Sequence, residues 1–362
     1  MKSYNHLFEK VLEEDNRRLA IKNASRGKSK RKLRYFTADI ERTVAKSYNW
    51  ILNYRNSEHR VVIIHDGVGR KQRKIIVPTF EELTVQHAVV AAMKPIFLKG
   101  MYEHSYASIP GRGVHLGKKC IERWIRTDRK NVKYVLKMDI KHFFDSVPHD
   151  ILKEKLRKTI HDERMLHLLF QIIDVTDHGL PLGFYTSQWL SNWYLQELDH
   201  YIKEELKATH YMRYMDDMVI FGSNKKALHR MRAEIDNYLN TYLGLTLKEN
   251  WQVFRFAYTK NGRQYGRDLD FMGFRFFRDR TILRRTIMLK ATRTARRISK
   301  KPYPTIHDVL QMLSYVGWID CTDTYQMYVK RIKPYVSIQQ CKRRVSKHDR
   351  RKNCLEGGKH EH

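Results

Sequence analysis

The sequence predicts an α+β fold built around an antiparallel sheet, and three observations carry that prediction. Helical and strand patterns alternate irregularly, without the regular rhythm of a doubly wound sheet. Two pairs of short strands are each joined across a tight turn. The composition, 42% hydrophobic and 30% charged over 362 residues, is that of a globular chain large enough for two to three coupled subdomains.

The elements follow in chain order. Lys22 to Arg34 is strongly basic and is expected to be an exposed arm. A helix is predicted over Thr37 to Asn53. Arg60 to His65 and Lys71 to Val77 read as two strands around a turn at Gly67-Val68-Gly69, a hairpin with a basic tip that Pro78 ends. Phe80 to Met93 is helical in pattern, opening on Glu81 and Glu82. Val132 to Ile140 is a buried-type strand. After Pro148, Asp150 is expected to cap a helix with Ile151, Leu152, Leu156 and Ile160 on one side. Ser187 to Leu206 reads as one longer helix with an apolar stripe. A second hairpin follows, Tyr211 to Tyr214 and Met218 to Phe221, and then an amphipathic helix over Lys225 to Leu243. Past Phe277 the composition turns basic. Helices are predicted over Arg284 to Lys300, Ile306 to Gly317 and Thr322 to Val336, and Cys341 to His362 is expected to be a frayed tail.

Charge narrows the function. Lys and Arg number 70 against 39 Asp and Glu, a net charge of +31. A surface so positive is matched to a polyphosphate, bound through counterion release. An anionic membrane is the competing partner, but no apolar run approaches a membrane span and no signal peptide opens the chain. Cys120, Cys321, Cys341 and Cys354 are scattered without a C-x-x-C pair, so neither a structural zinc nor a disulfide framework is expected. They are taken as reduced thiols of a cytosolic protein.

The central signal is Arg213-Tyr214-Met215-Asp216-Asp217-Met218-Val219-Ile220. Acidic pairs at hairpin turns are common on surfaces, but here the flanks are apolar on both sides. Burying two like charges is costly unless a cation neutralises them. Asp139 sits in the same setting, at the end of an apolar strand. If the strands are neighbours, three carboxylates meet. Such a set can hold two Mg²⁺ roughly 3.5–4 Å apart for in-line nucleotidyl transfer.

Tyr-Met-Asp-Asp resembles the signature turn of reverse transcriptases, with Asp139 in the place of their first catalytic acid. The resemblance runs in order along nearly the whole chain. It implies a right-hand polymerase: a basic segment over 1–34, fingers over 35–131, a palm over 132–275, a helical thumb over 276–345 and a basic tail over 346–362. It implies an RNA-directed DNA polymerase with catalytic Asp139, Asp216 and Asp217. These three and the Ile140 backbone would ligate two Mg²⁺, with Mn²⁺ able to substitute. Lys71, Arg73 and Lys74 resemble the fingertip strand that grips the incoming triphosphate, and Arg112 in Ser108-Ile109-Pro110-Gly111-Arg112-Gly113 supplies a second triphosphate contact where relatives carry Arg at the position of Ile109. Leu180-Pro181-Leu182-Gly183 through Ser187-Gln188 resembles the template grip. Tyr214 joins the template and primer contacts, as do Met272 and Gly273 of a segment resembling the primer grip. Lys248 corresponds to the lysine that protonates pyrophosphate. Phe144, five residues past Asp139, stands at the steric gate that selects deoxynucleotides.

Pro181-Leu182-Gly183 in place of Pro-Gln-Gly, with Ser187-Gln188 in place of Ser-Pro, resembles the reverse transcriptases of diversity-generating retroelements, as does Val85-Gln86-His87-Ala88. That implies error-prone copying at template adenines (mutagenic retrohoming), with template RNA, primer, cDNA and dNTPs as partners. It also implies a small basic accessory variability protein and a cytoplasmic location in a prokaryotic or phage-encoded system. No RNase H or intron endonuclease is expected, the chain ending soon after the thumb. A group II intron-like or phage-defence reverse transcriptase shares the same core. A basic RNA-binding protein without catalysis fits the charge but not the three intact acids.

Overall fold

The computed structural model describes residues 4–28, 30–66 and 71–357, without the side chains of residues 30–32, 37, 66, 71 and 351–357. The expected turn at Gly67-Val68-Gly69 and the Lys71 side chain fall outside these. Contacts divide the chain into two units, Met1–Gly113 with Tyr134–Val253, and Val114–Lys133 with Phe254–His362.

The first unit opens with Leu7–Leu12 (α1) and Glu14–Ser25 (α2). Lys30–Thr37 (α3) and Ile40–Leu52 (α4) follow, α4 capped by the Asp39 carboxylate accepting from the Arg42 amide. The basic stretch is therefore helical on both sides of Ser29, not an exposed arm. Ile21 and Ala24 are buried, as are Leu7, Phe8, Val11 and Ala20, and apolar burial outweighs the flanking charge. Arg60–Asp66 (β1) and Lys71–Val77 (β2) form the expected antiparallel pair. Phe80–Leu98 (α5) starts from a Thr79–Glu82 capping box. Val85, Ala88, Val89, Val90, Met93, Ile96 and Phe97 are all buried, as a helix apolar all round must be. α1, α2 and α4 pack against it.

Val114–Thr127 (α6) belongs to the second unit. The chain returns to the first through Tyr134–Asp139 (β3) and the short Phe143–Ser146 (α7). His149–Thr159 (α8) is N-capped by Pro148 with no side-chain bond, so Asp150 lies in the first turn and is not the cap. Glu163–Ile173 (α9) is capped by Asp162. The single long helix expected over Ser187 to Leu206 is instead Tyr185–Tyr194 (α10), Gln196–His200 (α11) and a π-turn at Tyr201–Glu205. His210–Tyr214 (β4) and Asp217–Gly222 (β5) form the acidic hairpin, followed by Lys225–Leu243 (α12), the span predicted for it. The sheet order is β4-β5-β3, with Gln252–Arg255 (β6), where the chain passes between units, at the β3 edge.

The second unit carries Tyr258–Lys260 (β7) paired with Arg263–Tyr265 (β8), and a three-stranded sheet of Leu269–Phe271 (β9), Phe274–Phe276 (β10) and Thr281–Leu283 (β11). Arg285–Ser299 (α13) buries Met288, Ala291, Ala295 and Ile298 and leaves Lys290, Arg293, Arg296 and Arg297 exposed. Ile306–Asp320 (α14) and Tyr325–Arg331 (α15) follow, the latter shorter than expected. The predicted frayed tail is a helix, Ile338–Gly357 (α16), which packs on α14 and buries Cys341. Among the described residues no helix is long and apolar enough to cross a membrane. Among the described residues Cys120, Cys321 and Cys341 form no disulfide.

Candidate active site

Tyr214 ends β4 and Asp217 begins β5, so Met215 and Asp216 form a two-residue turn. Met215 takes φ 57°, the positive φ that such turns require at their first position. Register then sets the acids. Asp217 lies opposite Asp139 on β3, and the Ile140 amide donates to the Asp216 carbonyl at 3.4 Å. Two apolar strands thus bring three carboxylates to one end of a buried sheet, as the sequence predicts.

The electrostatics show the consequence. Burial first, then the charges of Asp139 and Asp217, push the Asp216 carboxyl from its usual 3.8 up to about 7. Asp139 Oδ1 is buried with no hydrogen-bond partner, while Lys248 Nζ rests on Oδ2. Lys248 is brought there by backbone pairing: its amide donates to the Asp139 carbonyl at 2.8 Å, and the Lys141 amide to the Thr246 carbonyl at 2.8 Å. An orphaned carboxylate oxygen beside two more acids, with one ammonium among them, is a donor set that fits a divalent cation. Among the described residues no three His, Cys, Asp or Glu side chains form a preformed metal cage. Mg²⁺ needs none, since it takes one or two carboxylates and fills its octahedron with water and phosphate oxygens.

The other expected residues fall on separate elements. Phe143 is core and Phe144 is half-buried; the Leu180 amide donates to the Phe144 carbonyl at 2.6 Å, seating the loop before α10 on the α7 turn. That loop is held by its main chain. The Ile76 amide of β2 donates to the Leu182 carbonyl at 2.8 Å, and the Phe184 amide to the Pro181 carbonyl at 3.2 Å. Gly183 has φ 111°, and a Cβ there would lie 2.1 Å from the Ile76 carbonyl oxygen. Gln188 is exposed, but Ser187 is buried and donates its hydroxyl to the Pro181 carbonyl at 2.8 Å. Its place is inside the loop, not on a binding surface. Tyr214 is half-buried.

Arg73 is exposed on β2, paired in register with Ile64. Ile109 is buried, which is why an apolar residue is stable there; Arg112 spends one donor on the Tyr102 carbonyl at 2.6 Å. Met272 and Gly273 lie in the second unit. They form the two-residue β9–β10 turn, with φ 50° and 86°, and are buried. A Cβ on Gly273 would stand 2.9 Å from Ile287 and Trp318.

Residues 65–276, more than half of the chain, match the family model described as reverse transcriptase (RNA-dependent DNA polymerase). The chain belongs to the reverse transcriptase family. Membership makes it by class an RNA-directed DNA polymerase, a nucleotidyltransferase with the right-hand polymerase fold, and this family uses divalent metal ions. Protein YkfC of Escherichia coli K12 is 27% identical over 63% of this chain and 69% of its own length. Retron Ec73 reverse transcriptase of E. coli is 26% identical over 47% of this chain and 56% of its own. Group II intron-encoded protein LtrA of Lactococcus lactis is 27% identical over 37% of this chain and 23% of its own. The chain thus spans about half of the retron enzyme and a quarter of LtrA. Among solved structures, telomerase from Candida tropicalis with a fragment of telomeric RNA is similar over 75% of this chain and 52% of that one. Its identity is 14% and its TM-score 0.48, too distant to carry a functional conclusion.

This reverse transcriptase also has a buried polar cluster under the acidic turn that the sequence analysis missed. Arg213 and Asp199 are both fully buried and make a two-pronged ion pair, Nε to Oδ1 at 2.8 Å and Nη2 to Oδ2 at 2.6 Å. Arg213 Nη1 donates to Asn192 Oδ1 at 3.0 Å and to the Met215 carbonyl at 3.1 Å. The Tyr211 hydroxyl donates to Asp199 Oδ1 at 2.7 Å. The available signal was a lone arginine in an otherwise apolar strand, facing a lone aspartate in the apolar stripe of the preceding helical segment.

Proposed function

We propose that this chain is the reverse transcriptase of a diversity-generating retroelement, making cDNA from a template RNA with frequent errors at adenines. The observation that carries the reading is Leu182. It stands where the usual motif has glutamine, in a loop fixed by main-chain bonds and the Ser187 hydroxyl. An aliphatic side chain offers no hydrogen bond to the nascent pair or its sugar, so mispairs opposite adenine are penalised less. Primer extension on an RNA template with scattered adenines tests this. Errors concentrated opposite adenine, reduced in Leu182→Gln, support the proposal; an unchanged error spectrum in Leu182→Gln overturns the role of Leu182. Accurate copying by the parent would instead favour a retron-, intron- or phage-defence-type enzyme, the second reading, which the similarity to retron Ec73 reverse transcriptase and LtrA supports.

In this reading Asp139, Asp216 and Asp217, with the Ile140 carbonyl, would hold two divalent ions, Mg²⁺ or in substitution Mn²⁺. When bound, such ions lower the pKa of the attacking 3′-hydroxyl and neutralise charge on the triphosphate. Lys248, freed from Asp139 Oδ2, turns its Nζ to the leaving pyrophosphate and donates a proton. Lys71, Arg73 and Arg112 bind the triphosphate, and Phe144 lies under the sugar and excludes a 2′-hydroxyl. Leu182 and Gly183 border the nucleotide. Gln188 and Tyr214 contact template and primer, with Ser187 orienting the loop, and Met272 and Gly273 serve as primer grip. Fingers, palm and thumb over 35–131, 132–275 and 276–345, a cytoplasmic setting, and a small basic accessory protein as partner complete the proposal.

A further inference from the structure

The Arg213 cluster does more than fill a gap in the core. Its bonds end on the two backbone segments whose relative placement matters most to the reaction. One is the acidic turn. Met215 is held at φ 57°, a left-handed conformation that costs a non-glycine residue energy, and its carbonyl is the one that Arg213 Nη1 grips. The other is the loop leading to Arg112. The Arg213 amide donates to the His104 carbonyl at 3.1 Å, the Tyr106 amide donates to the Arg213 carbonyl at 3.1 Å, and Asn192 Nδ2 donates to the Ala107 carbonyl at 2.9 Å. Asn192 and Asp199 come from α10 and from α11, so these two elements and the acidic turn meet on one guanidinium, and Asn192 passes the hold on to the loop. A buried, bidentate arginine has a fixed fork geometry that lysine cannot reproduce.

We propose that Arg213, with Asn192 and Asp199, is a positioning brace: it sets the Met215-Asp216-Asp217 turn and locks the 104–112 loop to it, so that the carboxylates and the triphosphate contacts keep one spacing. Arg213 touches neither nucleotide nor metal in this arrangement. It acts through Met215 and through Asn192. The inference rests on the assignment of Asp216 and Asp217 as the catalytic acids and is independent of which template is copied.

Two variants separate the arms of the brace. Arg213→Gln with Asp199→Asn neutralises both charges together, leaves no buried unpaired ion, and keeps an acceptor for the Tyr211 hydroxyl. Steady-state primer extension on this variant, with folding checked by thermal melting, is expected to show kcat reduced at least tenfold and KM for dNTP changed less than threefold. Adding Met215→Gly, which takes positive φ freely, is expected to recover at least threefold of that loss. Asn192→Ala leaves the ion pair and the main-chain bonds of residues 104 and 106 intact and frees the loop at Ala107, on the side that leads to Arg112, and is expected to raise KM for dNTP at least fivefold with kcat changed less. A folded Arg213→Gln/Asp199→Asn variant with kcat within twofold of the parent overturns the brace, as does a loss that Met215→Gly leaves unchanged. If that variant does not fold, Asn192→Ala decides alone: an unaltered KM overturns the proposal. Asp216→Asn is run alongside. If it is inactive, a negative result falls on the brace only; if it is active, the catalytic assignment and the brace both fall.

Discussion

At Asp216 the fold opposes itself. A carboxyl raised to about 7 is one whose ionised form the native state disfavours. The sign follows: the penalty is absent below the ordinary carboxylate range, grows as pH rises from about 4, and is complete above about 7. In chelator at pH 8, Asp216→Asn is therefore expected to be more stable than the parent by about 2 kcal/mol, once the shift is discounted for partial exposure, and so to melt higher. The gap should close at pH 5, and an equal or lower melting temperature at pH 8 would contradict the burial argument. Gly183 makes a second prediction. Any Cβ meets the Ile76 carbonyl, and φ 111° is hostile to other residues, so Gly183→Ala should cost roughly 1–3 kcal/mol and displace β2. Loss of nucleotide affinity at a temperature where the variant is still folded would report that displacement. The acids were legible in the sequence because carboxylates between apolar strands are a local anomaly. Arg213 was as anomalous, but its meaning lay in Asp199 and Asn192, 14 and 21 residues away, and no local pattern pairs them.

Among the elements, those with one dominant periodicity came through intact. Lys225–Leu243 matches its amphipathic prediction to the residue, and β1, β2, β4 and β5 match within a residue or two. Misreadings occurred where tertiary contacts overrule composition. The helix after Ser187 has no proline or glycine to break it, yet the Tyr194 carbonyl accepts from Lys155 Nζ at 3.0 Å, and Gln196 Nε2 donates to the Lys99 carbonyl at 2.6 Å. At the ends of the chain, charge hid short apolar faces that only a partner helix reveals. α16 is the case with a direct test. Because it packs on α14 and buries Cys341, truncation after residue 337 should lower the melting temperature of the second unit by several degrees. A frayed tail would leave it unchanged, as read by the transition of the purified chain.

For the molecule as a whole, the excess of 31 positive charges predicts how it would hold an RNA template. The exposed arginines and lysine of α13 form one face of that field. RNA affinity, measured with Asp216→Asn so that no synthesis intervenes, should fall by roughly 10³ or more between 50 and 200 mM salt, with a linear log–log slope. A flat dependence would mean that the charge is spent elsewhere. The match to the family covers residues 65–276 and stops short of α13 to α16. The match thus takes in the sheet that carries the three acids, and residues 1–64 lie outside it as well.

The loop over residues 180–188, proposed above to grip the template, bears on how such an enzyme evolves. Its hydrogen bonds run through the carbonyls of Pro181 and Leu182, the Phe184 amide and the Ser187 hydroxyl; the aliphatic Leu182 side chain adds none. On the proposal that residue 182 sets copying accuracy, a single codon change there would alter accuracy without removing any of these bonds. Selection would then act on the error rate almost independently of enzyme abundance, and a lineage would move between faithful and error-prone copying in one step.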